Sequence, residues 1–252
     1  MDAIDGGQAR RTKSSSPLGQ LFDHGCDGIL SGMAPILQMH ALGLGLGPEL
    51  PLMIALTQCL FFMSMWEEKY TGVCRTTIFG VVGTTEFMLA FVFHQLLCGM
   101  YPEVSHGLKN IVTYITYIGA ACSAATSLYS VSAKERSFRP LFELAGIFLV
   151  NASFLQFAPK ISFAPFLLQA FTNSYLIIRM IVCSMSKTEW SNQWTVILPV
   201  ALLARFASEA QLVAALAAYT AFYVFFLKNG CTQIARALNI KVFSIVTPSK
   251  ST

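Results

Sequence analysis

Charge is what this sequence holds least of. Asp, Glu, Lys and Arg make up 12% of its 252 residues, against about 25% in an ordinary soluble domain. With 54% hydrophobic residues and a mean hydropathy of +0.57, that scarcity excludes a soluble globular chain and places long apolar runs in lipid. Paired cysteines are missing too. The seven cysteines, at 26, 59, 74, 98, 122, 183 and 231, form no Cys-x-x-Cys pair, so neither a zinc site nor a disulfide framework is indicated. Most stand in apolar stretches, where a thiol packs as a small hydrophobe. Met1 to Lys13 lacks the apolar core of a secretory signal. No repeat or low-complexity tract occurs, and the net charge of +4 is modest; no nucleic-acid partner is expected. The sequon Asn151-Ala152-Ser153 lies inside an apolar run and is discounted as a glycosylation site.

A spanning helix needs about 20 mostly apolar residues. Candidate stretches run at roughly 27–47, 50–66, 77–100, 110–131, 140–158, 161–185, 192–207 and 209–228, the second and seventh being short. The expected fold is all-α: a polytopic membrane helix bundle of about eight transmembrane helices, one integral membrane domain over residues 1–252. Alternating the spans from a cytosolic start assigns 13 of the 17 basic residues, from Arg10 and Arg11 through Lys134, Arg136 and Arg139 to Lys250, to the cytosolic side. Lys109, Lys160 and Arg205 fall opposite, and Arg179 lies within a span. A wrong helix count would scramble this positive-inside asymmetry. Past 228, Ile234, Leu238 and Ile240 recur at helical spacing, so 231–245 is expected to be an amphipathic helix on the membrane surface.

Four of the thirteen acidic residues, Asp2, Asp5, Asp23 and Asp27, crowd into the first 27 residues of the chain. Spacings of three and four put each pair on one helix face. Between the pairs, Arg11 to Pro17 is polar and breaks helix, so two helix ends can face each other. Four converging carboxylates repel unless cations sit among them, and hard divalent cations, Mg²⁺ or Mn²⁺, take such oxygen ligands. A solvated loop whose acids cap helices accounts for one or two of these residues, but poorly for four at paired spacings. Gly6 and Ala9 leave room for a ligand to approach the backbone, and Arg10 is a bidentate donor suited to phosphate. Together these residues describe a pyrophosphate site within the motif at 2–27.

The string Asp2-x2-Asp5-Gly6-x2-Ala9-Arg10-x8-Gly19-x3-Asp23-x3-Asp27 resembles the signature of the CDP-alcohol phosphotransferase family at all eight fixed positions and every spacing. Gln8-Ala9-Arg10-Arg11-Thr12, Ser15-Ser16-Pro17-Leu18-Gly19 and Phe22-Asp23-His24-Gly25-Cys26-Asp27 are similar to the eukaryotic choline/ethanolamine phosphotransferase branch. Weaker likeness continues at Trp66-Glu67-Glu68, Thr71-Gly72, Glu86, Met185-Ser186-Lys187-Thr188-Glu189 and Leu238 to Phe243. The resemblance implies an enzyme that transfers phosphocholine or phosphoethanolamine from CDP-choline or CDP-ethanolamine to diacylglycerol, releasing CMP. It also implies a homodimer in the bilayer of the endoplasmic reticulum, with Golgi the alternative, and an active site facing the cytosol. Family members are similar in having about ten spanning helices, with the first Asp pair closing the second. This chain starts at that pair, so the 252-residue form alone is expected to be inactive or nearly so.

On that resemblance Asp2, Asp5 and Asp23 are metal ligands in a two-metal site. Asp27 is shared between the second metal and activation of the lipid hydroxyl; Gly6, Ala9, Arg10 and Gly19 bind substrate. His24 is a second candidate base, since its pKa suits proton transfer near neutrality; the competing reading, equally weighted, is a histidine that orients the neighbouring carboxylate. His40, His94 and His106 are read as structural. Gly28 and Gly32 form a Gly-x-x-x-Gly step whose expected role is close helix packing. Glu86 and Glu143 stand in apolar runs, where an acid is functional by default; Glu86 is expected to attract the cationic head group and Glu143 to pair with a neighbouring helix. Two rival readings remain: an inactive truncated paralogue with a structural role, and a membrane transporter.

Overall fold

The computed structural model describes residues 7–9, 11–12, 15–73, 77–78, 82–155, 163–240 and 242, with backbone alone at 77–78, 82–88, 102, 104–106 and 109. Helical backbone at 7–9 and 11–12 precedes helix α1, Pro17–Ala41. Ser16 starts α1: its backbone is extended, its hydroxyl accepts the Gly19 N–H at 3.1 Å, and Pro17 fills the first helical position, where its missing N–H costs nothing. That local cap sets the helix start at Pro17, ahead of the expected span at 27, so Asp23 and Asp27 both lie inside one continuous helix. Gly43 and Gly45, at φ 70° and 54°, turn the chain back into α2, Leu50–Thr71. Gly72 ends α2 in a left-handed conformation, its N–H donating to the Glu68 carbonyl at 2.7 Å.

A two-residue antiparallel ladder, β1 (Thr77–Ile78) with β2 (Val82–Gly83), leads into α3, Thr84–Met100. Then follow α4 (Pro102–Lys134), a single turn α5 (Arg139–Phe142), α6 (Ala145–Phe154), α7 (Ala164–Ser186), α8 (Trp194–Phe206) and α9 (Glu209–Ala237). A capping box formed by Ser208 and Gln211 opens α9. The bundle is organised around α7, which packs against α1, α2, α6 and α9; α2 also packs on α4, and α6 on α8. Trp66, Phe62, Phe154, Leu168 and Ile177 fill the core between them.

Each expected span has its helix, but four, among the described residues, are long and apolar enough to cross a membrane: Leu50–Thr71, Asn110–Lys134, Ala164–Ser186 and Glu209–Ala237. The remainder differ for physical reasons. α1 carries Gln20, Asp23, His24, Asp27, Ser31 and Gln38 within its length, while α6 and α8 have 10 and 13 residues. The flanks of α4 and α9 bear Ile115, Ile118, Tyr129, Val213 and Phe225, each exposed by more than half of its surface, as expected where lipid is the solvent. The chain is an all-α integral membrane bundle.

Two boundaries depart from expectation. The run 140–158 divides, because α5 stops at Phe142 and α6 starts at Ala145, leaving Glu143 and Leu144 in the joint. At the other end, α9 runs unbroken through Lys228, Asn229 and Gly230 to Ala237. No proline interrupts it, and one helical glycine costs only about 1 kcal/mol. Residues 231–237 therefore extend a long helix, and the expected separate surface helix at 231–245 does not start there; 241 and 243–252 lie outside the described residues.

Candidate active site

At 3.6 residues per turn, α1 has three flanks. Leu21, Gly25, Gly28, Gly32 and Pro35 form its buried stripe. Asp23 and Asp27 lie roughly opposite that stripe, at ~100° per residue, and both are half-buried. Between the two runs an exposed apolar flank, Phe22, Leu30, Met33 and Leu37.

The stripe is where α1 meets the core. A Cβ on Gly28 would stand 3.0 Å from Ile177 Cγ2, and one on Gly32 would stand 2.8 Å from Ala170 Cβ and 2.5 Å from Gln58 Nε2. The Gly-x-x-x-Gly step thus has the packing role read from the sequence. The resulting close approach lets α1, α2, α6 and α7 share a network of buried amides and hydroxyls. Gln58 Nε2 donates to the Ala170 carbonyl at 2.9 Å and to Ser174 Oγ at 3.2 Å. Asn173 Nδ2 donates to Gln58 Oε1 at 2.9 Å and to Asn151 Oδ1 at 2.8 Å, and Gln169 Nε2 donates to Asn151 Oδ1 and the Pro51 carbonyl, each at 2.9 Å. All of these side chains are buried. In an apolar interior each would cost about 1–3 kcal/mol if left unpaired, so the network selects one relative placement of four helices. Asn151, the discounted sequon residue, belongs to this core. The sequence signal for the network was available: uncharged amides inside apolar spans, which glue helices together.

Of the site residues expected from sequence, the structure brings together Asp23, His24 and Asp27. His24 Nδ1 is 3.7 Å from Asp23 Oδ2, within ion-pair reach but too long for a hydrogen bond. Gly19 is exposed in the first turn of α1, held by the Ser16 cap, and Ala9 is half-buried. Asp2, Asp5, Gly6 and Arg10 lie outside the described residues. Glu86 is described by backbone alone, in the first turn of α3. Among the described residues no group of three His, Cys, Asp or Glu side chains is placed to hold a metal ion. Asp23 and Asp27 nonetheless fit a hard divalent cation in kind and spacing: two half-buried carboxylates one turn apart. His94, read as structural, lies 3.1 Å through Nδ1 from Gln38 Nε2, and Glu143 Oε1 pairs with Lys69 Nζ of α2 at 2.6 Å.

A second feature adjoins the start of α1. A cleft of about 490 Å³ is lined by Gln20, Glu68, Lys69, Gly72, Lys187 and Thr188, among others, and Gln20 Nε2 donates to Glu68 Oε1 at 3.1 Å. Among the described residues, none of the site residues expected from sequence lines it. Beside it, Arg139 Nη2 meets Glu189 Oε2 at 2.8 Å, and that hydrogen-bonded carboxylate raises the guanidinium pKa above its ordinary value. The start of α1, the end of α2, the α4–α5 joint and the end of α7 therefore gather at one end of the bundle.

The structure is thus a polytopic helix bundle that carries a half-buried carboxylate pair near one end. The sequence profile described as CDP-alcohol phosphatidyltransferase matches residues 1–123, just under half of the chain. The chain is similar to cholinephosphotransferase 1 of Gallus gallus, 34% identical over 136 residues, which are 52% of this chain and 40% of that protein. Cholinephosphotransferase 1 of Rattus norvegicus is 42% identical over 98 residues, 38% of this chain and 24% of that protein. A Dictyostelium discoideum protein called uncharacterized CDP-alcohol phosphatidyltransferase class-I family protein 3 is 49% identical over 74 residues, 29% and 18% respectively. The chain spans well under two thirds of the length of these relatives.

Proposed function

We propose that the protein transfers phosphocholine or phosphoethanolamine from CDP-choline or CDP-ethanolamine to diacylglycerol, forming the phospholipid and CMP. The observation that carries this is the Asp23–Asp27 pair, half-buried on the flank of α1 opposite its packed stripe and inside the segment matching the family. Asp23 and Asp27, with Asp2 and Asp5, are the residues that would hold Mg²⁺ or Mn²⁺. Bound in pairs, such ions neutralise a pyrophosphate and support the attacking and leaving oxygens.

The chain's own residues do the rest. Arg10 grips phosphate through its planar fork, with Gly6, Ala9 and Gly19 leaving the backbone approachable. Asp27 takes the proton of the acceptor hydroxyl as its oxygen attacks the head-group phosphorus; the anhydride P–O bond breaks and CMP leaves with that bond's electron pair. The nearness of His24 to Asp23 supports an orienting role for the imidazole. The exposed flank of Phe22, Leu30 and Leu37 beside the acids supports delivery of an acceptor dissolved in the bilayer. Glu86 would draw in the cationic head group. The name cholinephosphotransferase 1 carried by the Gallus gallus and Rattus norvegicus relatives supports choline as the first head group to test. We assign the protein to the endoplasmic reticulum, as a homodimer with the acidic end toward the cytosol, in keeping with the basic residues gathered there.

The test is CMP release by the purified protein in lipid nanodiscs, with diacylglycerol, Mn²⁺ and either CDP-choline or CDP-ethanolamine. It is run on the 252-residue chain and on a longer form with two added N-terminal spans, the longer form being the one expected to turn over. Release that stops with EDTA and returns with added Mn²⁺ is the expected result. Substrate transport without CMP release would replace this reading with the transporter.

A further inference from the structure

The buried stripe of α1 raises a mechanical problem. Gly25, Gly28 and Gly32 allow close approach, but a glycine face offers no side-chain ridges to key into a neighbour's grooves. Such a helix packs tightly while its rotation about its own axis is weakly specified. Rotation matters because the acids sit on the far side. At a side-chain radius of about 5–6 Å, each ten degrees of turn moves a carboxylate by roughly 1 Å, and misplacement on that scale can cost on the order of a hundredfold in rate.

Directional hydrogen bonds supply what the glycines omit, and they converge on one atom. The carbonyl oxygen of Gly28, the residue after Asp27, lies 2.8 Å from Ser174 Oγ of α7, whose one proton it shares with the Ala170 carbonyl, also at 2.8 Å, and it accepts a longer bond from Gln58 Nε2 of α2 at 3.4 Å. Ser31 Oγ of α1 itself adds a third donor at 2.9 Å. Gln58 cannot swing away freely, because Asn173 Nδ2 holds its Oε1 and is itself bonded to Asn151. Its reach to α1 needs the missing side chain at Gly32, where a Cβ would overlap it. A few residues further on, Thr57 Oγ1 donates to the Ser31 carbonyl at 2.9 Å, a second bond of the same kind.

We infer that Ser174 and Gln58 are positioning residues that fix the rotational register of α1 and thereby aim Asp23 and Asp27. This rests on the reading of those aspartates as metal ligands. It predicts that deleting a hydroxyl on α7 that is bonded to the backbone of α1 weakens metal binding.

The experiment is a Mn²⁺ titration of the purified protein in detergent, following free Mn²⁺ by electron paramagnetic resonance, with thermal unfolding recorded for each sample. Ser174→Ala is expected to raise the Mn²⁺ dissociation constant about tenfold, the low end for residues that orient metal ligands. Gln58→Met, which leaves Ser174 in place, is expected to do the same, and Ser174→Thr, which restores a hydroxyl, to recover most of the affinity. Thr172→Val is the control: its hydroxyl donates within α7 to the Leu168 carbonyl, so its loss is expected to leave Mn²⁺ affinity within about twofold. Unchanged affinity in Ser174→Ala and Gln58→Met, or equal weakening in Thr172→Val, overturns the inference while leaving the metal site standing. Failure of the parent protein to bind Mn²⁺ removes the metal reading and the inference together.

Discussion

Gln58 Nε2 stands 2.5 Å from the point that a Cβ on Gly32 would occupy. Gly32→Ala therefore has to expel a side chain that bonds to α1 and α7 hold in place. Alanine would ordinarily favour a helix by about 1 kcal/mol over glycine, but overpacking of this kind costs about 1–3 kcal/mol. A net loss is expected, read as a lower thermal midpoint in detergent. Gly230→Ala in α9 is the counterpart: nothing lies within 4 Å of its would-be Cβ, so a gain of about 0.5–1 kcal/mol is expected.

Lys69 and Glu143 form a pair with side chains 13% and 8% exposed. Removing one partner of a buried pair leaves an uncompensated charge, at a cost of about 3–5 kcal/mol. Lys69→Met is expected to destabilise on that scale. Lys69→Met combined with Glu143→Leu is expected to recover most of the loss, because an apolar replacement of both ends restores neutrality. A double variant no better than the single would show that the lysine acts through something other than Glu143.

Asp27→Asn keeps the side chain's shape and removes its charge and basicity. Loss of a positioned base or acid costs on the order of 10²–10⁴ in rate, so in a full-length form transfer is expected to fall by at least about a hundredfold while CDP-alcohol binding is largely kept. Isothermal titration with CDP-choline, set beside CMP release, separates the two effects. Turnover within a few-fold of the parent contradicts the assignment.

The Arg139–Glu189 contact ties the α4–α5 joint to the end of α7, beside the cleft that also takes in Gln20 and Glu68. A cysteine placed at Ser132 is accordingly expected to react with impermeant maleimide from the cytosolic side of sealed vesicles. Labelling from the lumenal side would reverse the orientation drawn from the basic residues.

Much of this was legible because the sequence spends charge so sparingly. Asp23 and Asp27 stand out in an apolar chain, and their spacing alone places them on one helix face. Long apolar runs likewise revealed where helices lie. Their ends were harder to read: Ser16-Pro17 is a strong local cap that outweighs the hydropathy minimum before 27, and Lys228-Asn229-Gly230 looks like a break yet contains nothing that breaks a helix. Pairing across the bundle was out of reach. Lys69 finds Glu143, and Gln58 finds Asn173, only after helices far apart in sequence pack, and an amide in an apolar span announces a partner without naming it.

The most direct measurement is to follow the head group itself. The longer form, in nanodiscs containing diacylglycerol, is given CDP-choline labelled in the choline, with Mn²⁺ or with EDTA; the lipid extract is counted and CMP in the aqueous fraction is quantified by its absorbance. The account predicts labelled phosphatidylcholine appearing mole for mole with CMP, only where the divalent ion is present. CMP without labelled lipid would mean hydrolysis, and label left wholly in CDP-choline, with no CMP formed, would mean that the acidic face of α1 serves another chemistry.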